Sequence, residues 1–135
     1  MVENTVAPSH PPGEAVLATD LLRGHTETIV LGVLRGGDSY GFEIYKRIRS
    51  ATEGDHEIKE ATLYATYRRL QKDGLIESYW GDETQGGRRK YYRITDAGRA
   101  VYQRNLAAWQ ATRDIIDHLL GLGPRPAAPT GRRSQ

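Results

Sequence analysis

Apolar residues recur at helical spacing along the first half of the chain. The set Leu21, Ile29, Val30, Val33 and Leu34 predicts a first helix from about Leu21, stopped by Gly36-Gly37. Ser39 is placed to cap a second helix with Phe42, Tyr45 and Ile48 turned inward, and Gly54 lies shortly past its end. A third helix, about Lys59 to Asp73 and ended by Gly74, carries Leu63, Tyr67 and Leu70 at i, i+4 and i+7. At about 100° per residue this stripe packs on the first two helices. Ala61, Thr62, Ala65, Arg68, Arg69 and Lys72 then face outward, with Tyr64 at the flank.

The period next changes from helical to alternating. Leu75-Ile76-Glu77-Ser78-Tyr79-Trp80 and Tyr91-Tyr92-Arg93-Ile94 have the β-branched and aromatic content of paired strands, joined by a Gly81–Gly87 loop. Tyr92 and Ile94 share the inner face, which leaves Tyr91 and Arg93 on the other. Thr95 caps a last helix reaching about Leu120, with Asp96 in the turn where the helix dipole favours an acid. Its apolar seam, Tyr102, Leu106, Trp109, Ile116 and Leu120, is interrupted near Arg113. The three-helix core is satisfied by its own stripes, so this seam predicts a dimer interface with the same helix of a second subunit. The expected fold is mainly α with a two-stranded β wing: a winged helix-turn-helix over 19–94 and a dimerisation helix over 95–120. Residues 1–18 and 121–135, rich in Pro and Gly, are read as flexible tails whose role is open.

At 135 residues, with 38% hydrophobic and 27% charged content, the chain has one domain's length and an ordinary globular composition. No apolar run is long enough to cross a bilayer, no secretory signal opens the chain, and cysteine is absent; cytoplasmic residence without membrane contact is the expectation. The net charge is only +2, but between Gly86 and Arg104 six cationic residues stand against one acid. That local excess is the footprint of a phosphate-facing surface. The histidines at 10, 25, 56 and 118 are scattered, without the spacing or cysteine partners of a metal site, and no P-loop or activated serine is present. No enzyme activity, metal or cofactor is expected.

Small residues at the start of the third helix let it approach base edges, and the arginines beyond them reach phosphate or guanine. A solvated helix face is the alternative reading of these positions. The candidate DNA contacts are Lys59, Thr62, Tyr64, Ala65, Arg68 and Arg69 on this helix and Arg88, Arg89 and Lys90 on the wing. Two such readers on a twofold axis would take palindromic double-stranded DNA, with half-sites about one turn apart, roughly 34 to 36 Å.

Ala61-Thr62-Leu63-Tyr64, Leu70, Lys72-Asp73-Gly74-Leu75-Ile76, Gly86-Gly87-Arg88-Arg89-Lys90-Tyr91-Tyr92-Arg93-Ile94-Thr95 and Gly98 together closely resemble the PadR-family transcriptional regulators. The resemblance covers about Leu21 to Leu120. Tyr79-Trp80-Gly81-Asp82-Glu83-Thr84-Gln85-Gly86-Gly87 with Trp109 resembles the small branch with a single C-terminal helix, which includes multidrug-responsive repressors. It implies a homodimeric repressor whose terminal helices frame a cavity lined by Trp109 and its symmetry mate, where a flat aromatic effector can stack; Leu106 and Arg113 are the neighbouring candidates. Arg113, one turn after Trp109, departs from drug-binding members that place an acid near the platform, which favours an aromatic ligand over a cationic one. Three readings stay open: a drug-relieved repressor, a regulator without a ligand, and a ligand-binding or protein-interaction dimer that has lost operator recognition. Trp109 is on the bland reading a dimer-core aromatic.

Overall fold

Helix α1 spans Thr26–Arg35 and buries Val30, Leu31 and Leu34. Leu22 is also helical, and a turn at Gly24 and His25, where the His25 N–H donates to the Leu22 carbonyl at 2.8 Å, separates it from α1. The computed structural model describes residues 22, 24–52, 58–81 and 87–123. Leu21, Gly54, the hairpin connection at 82–86, His10, His56 and the expected tails, apart from 121–123, lie outside the described residues.

A short strand, β1 (Ser39–Tyr40), precedes α2 (Gly41–Ala51), and this changes the expected start of the second helix. Ser39 does not cap it. It is fully buried in the sheet opposite Tyr92, and its hydroxyl donates to Glu43 Oε1 at 2.6 Å. The helix also turns a different face inward. Gly41, Ile44 and Ile48 are buried, whereas Phe42 is 44% exposed, stacked on half-buried Tyr45 with centroids 5.7 Å apart. Gly41 lies against Tyr64 on the inward side. A Cβ there would lie 2.6 Å from the Tyr64 hydroxyl oxygen, so glycine leaves the space that the Tyr64 ring occupies over the start of α2.

Helix α3 (Glu60–Lys72) buries the expected stripe Leu63, Tyr67 and Leu70, and also Thr66, whose hydroxyl is spent on the Thr62 carbonyl at 2.9 Å. Gly74 closes the helix in the left-handed region, φ 76°. Its N–H reaches the Gln71 carbonyl at 3.0 Å and the Leu75 N–H reaches Leu70 at 2.9 Å, the paired bonds that satisfy orphan carbonyls at a glycine-ended helix.

The wing consists of β2 (Ile76–Gly81) and β3 (Arg89–Ile94), antiparallel with Ile76 opposite Ile94 and Gly81 opposite Arg89. It is part of a three-stranded sheet in the order β1-β3-β2, a third strand that two residues were too few to signal. Tyr92 and Ile94 face the core as the alternation requires. Helix α4 (Asp96–Leu119) starts at Thr95, whose side chain accepts from the Gly98 N–H at 3.0 Å and donates to the Gly74 carbonyl at 2.7 Å. One threonine thus joins the cap of α4 to the turn that ends α3.

Candidate nucleic-acid interface and apolar cleft

The exposed face of α3 is set by what holds its other face. Tyr67 is fully buried, donates its hydroxyl to the Gly41 carbonyl at 3.0 Å, and packs on Tyr64 at 5.1 Å and on Tyr92 at 4.9 Å. The ring thereby fixes α3 to α2 and to the wing strand at once. Ala61, Thr62, Arg68, Arg69 and Lys72 are exposed and Ala65 is half-buried; Lys59 is exposed immediately before the first turn. Tyr64 is held over Gly41, at the edge between the core and that face. Arg69 is shared: its Nε donates to Glu27 Oε2 at 2.7 Å, so reaching a phosphate means exchanging an exposed α1 partner worth little in water.

Burial raises the phenol pKa values of Tyr64, Tyr67 and Tyr92. Neighbouring phenols add to the shift at Tyr67 and Tyr92, Glu60 adds at Tyr64 and Tyr67, and Arg68 draws Tyr92 back down. A phenol that binds its proton more tightly when folded contributes stability that is complete below its unfolded value, about 10, and is lost as pH rises through the folded values. Tyr67→Phe should therefore cost about 1 kcal/mol at neutral pH, for the missing bond to Gly41, and flatten the loss of stability above about pH 10. Urea midpoints of the two proteins between pH 7 and 11 check both effects; parallel curves would assign the alkaline loss elsewhere.

The wing has two unlike faces. On the outer face Tyr91 stacks on Tyr79 at 5.7 Å and meets Tyr40 edge-on at 5.5 Å. The Arg89 guanidinium lies 4.5 Å from the Tyr40 ring and that of Arg93 lies 4.8 Å from Tyr79. Arg93 also sits beside Asp38 and Glu77, and Tyr79 donates to Asp38 at 2.6 Å. The inner face leads from Tyr92 outward to Lys90 and Trp80, with Arg88 beside the indole. The three wing cations proposed from the sequence are thus divided, Arg89 on one face and Lys90 on the other, and all three are exposed.

A second feature is an open, mainly apolar cleft of about 750 Å³ between α1 and α4. Leu106, Trp109, Arg113 and Ile116 line it from α4, and Ile29 and Gly32 of α1, with His25 just before that helix, line the other side. The His25 imidazole meets Trp109 edge-on at 5.0 Å. Gly32 admits Tyr102, since a Cβ there would stand 3.0 Å from the ring. Arg113 is paired with Asp114 at 3.7 Å, and Asp117 also borders the cleft, so the charge there is mixed. Tyr102 and Leu106, expected at a dimer seam, are half-buried here against the chain's own α1, to which Asn105 is joined by a 3.0 Å bond to Thr28. Ile116 and Leu120 remain exposed, as do Ile115, Leu119 and Leu122.

Sequence reasoning missed the α1 wall. His25, Ile29 and Gly32 stand at i, i+4 and i+7, a legible stripe, but an isolated histidine among many plausible core residues gave no reason to pair it with Trp109. Among the described residues no helix is long and apolar enough to cross a membrane, and no cluster of three candidate metal ligands occurs.

The sequence and architecture have known counterparts. The model of the transcriptional regulator PadR-like family matches residues 30–104. Uncharacterized protein X of Lysinibacillus sphaericus is 43% identical over 102 residues, covering 76% of this chain and 94% of that protein. The solved structure of a transcriptional regulator from Clostridium thermocellum is 46% identical, with a TM-score of 0.68 over 74% of this chain and 94% of its own. That of a PadR family transcriptional regulator from Eggerthella lenta is 33% identical, with a TM-score of 0.70 over 81% and 93%.

Proposed function

Because the chain belongs to the PadR-like family of transcriptional regulators, we propose that it is a homodimeric repressor that binds a palindromic operator and is released by a planar aromatic small molecule. One observation carries the DNA-binding reading: Tyr67 packs on both α2 and Tyr92, so the open face of α3 and the cationic wing are presented as one rigid surface. Thr62, Ala65, Tyr64 and Arg68 approach base edges, while Lys59, Arg69 and the wing cations meet phosphate. The exposed cluster Ile115, Ile116, Leu119, Leu120 and Leu122 supports pairing of α4 with a second copy, since a contiguous apolar surface of this kind is costly in water.

The ligand reading is supported by the cleft, where Trp109 is 41% exposed and offers a ring to a flat partner. A ligand wedged between α1 and α4 would favour one spacing of the paired α3 helices over another, and so alter DNA affinity by its differential binding to the two states. Titration with a neutral flavone, followed by tryptophan emission and by operator anisotropy in parallel, tests the coupling. Quenching that Trp109→Ala abolishes, together with release of the duplex, is expected. Duplex binding that is indifferent to flavone, with no quenching, would leave a regulator whose Trp109 is purely a packing residue.

A further inference from the structure

We propose that the Trp80 indole is a DNA-contacting group, lying on the sugar-phosphate backbone beside the groove that α3 enters; this rests on the DNA-binding reading above. Register places Trp80 opposite Lys90, on the same sheet face as Ile76, Ser78, Tyr92 and Ile94. Near the body that face is covered, and Tyr92 touches Tyr67 of α3 at 4.9 Å. Arg68, on the open side of α3, is close enough to Tyr92 to act on its phenol. Farther out the covering ends. Trp80 is left 58% exposed at the outer end of the surface that begins at α3.

A large aromatic side chain left in water forfeits the burial that would stabilise it. The surroundings of this one indicate what covers it. The Arg88 guanidinium lies 5.3 Å from its ring, Lys90 stands across from it in the ladder, and, among the described residues, the acids Asp38 and Glu77 belong to the opposite side of the sheet, with Arg93. Among the described residues, then, an exposed indole carries Arg88 over its ring and Lys90 opposite it on the same face. Duplex DNA satisfies all three groups together. Phosphates neutralise Arg88 and Lys90, deoxyribose C–H surface covers the ring, and the indole N–H donates to a phosphate oxygen. Among the described residues this face presents Arg88 and Lys90, so a second copy of this chain would bring like charge to it and self-association there is opposed.

The two tryptophans can be followed separately by 19F NMR of protein labelled with 5-fluorotryptophan, with Trp80→Phe assigning the Trp80 resonance. The probe is a 40-bp duplex from the DNA upstream of the chain's own gene, whose binding is measured independently by anisotropy. The Trp80 resonance should shift on binding. Trp80→Ala should weaken the duplex roughly tenfold with the salt slope nearly unchanged, and Trp80→Phe should recover most of that loss, since the ring and not the charge is removed. Light scattering should give the same mass for parent and variant. Tight duplex binding with an unmoved Trp80 resonance and an unaffected Trp80→Ala would overturn this proposal and leave operator binding standing. A parent that binds no duplex even at low salt would overturn both, and a Trp80→Ala protein of half the parent's mass would make the indole a subunit contact instead.

Discussion

Replacing Gly98 by alanine is expected to destabilise the protein by about 3 kcal/mol or more. In an unconstrained helix the same change would stabilise by about 1 kcal/mol, so the sign itself is informative. Gly98 lies in the first turn of α4, where an added Cβ would run into the Leu75 carbonyl oxygen and stand 2.8 Å from Ile94 Cγ1. The carbonyl cannot easily yield, because it accepts from the Thr95 N–H at 3.1 Å while Thr95 also binds Gly74 and Gly98. Relief requires α4 to lift from the turn between α3 and β2, and with it the wall of the cleft. Urea unfolding measures the loss, with Gly36→Ala as control. A Cβ at Gly36 meets only the Val33 carbonyl at an ordinary 3.6 Å, and its effect should stay within about 0.5 kcal/mol. Equal midpoints for the two variants would mean that α4 does not rest on that turn.

Removing the three wing cations together, Arg88→Ala, Arg89→Ala and Lys90→Ala, is expected to weaken operator binding on the order of a hundredfold at ~0.1 M salt. All three are exposed, so the folded body should survive; the arginine-ring contacts at Trp80 and Tyr40 are worth about 0.5–1 kcal/mol each at such sites. The diagnostic quantity is the slope of log K against log salt, which should become shallower by about 2 to 3, because each phosphate that a cation neutralises releases nearly one condensed counterion. Anisotropy at several salt concentrations gives the slope directly. An unchanged slope with full affinity would return these residues to the status of a solvated hairpin.

Much of the fold was legible because it depends on local rules. Leu63, Tyr67 and Leu70 are spaced for one helical face, Gly74 ends that helix in a conformation only glycine adopts cheaply, and Thr95 caps the next. The alternation of Tyr92 and Ile94 likewise assigned the inner face of the wing. The second helix was less legible. Phe42, Tyr45 and Ile48 form as plausible a stripe as Gly41, Ile44 and Ile48, and hydrophobicity alone prefers the phenylalanine. The packed core takes Ile44 and leaves Phe42 out, with Tyr64, 23 positions along the chain, lying over Gly41, and Ser39 pairs with Tyr92 instead of capping. A strand of two residues has too little pattern to announce itself.

The candidate sites divide along the same line. The amino-acid sequence by itself determined the third and last helices, the paired strands of the wing and the family, since periodicity, caps and motif spacing are properties of neighbouring residues. Only the tertiary structure decided how the wing cations are shared between two sheet faces, that Arg69 is held by Glu27, that Trp80 is exposed with Arg88 over its ring, and that Trp109 meets His25 at the cleft. The seam itself shows the physical reason. An apolar stripe records that a surface must leave water, and burial is non-directional; that α1 is what covers Tyr102 and Leu106 depends on where helices distant in sequence come to rest.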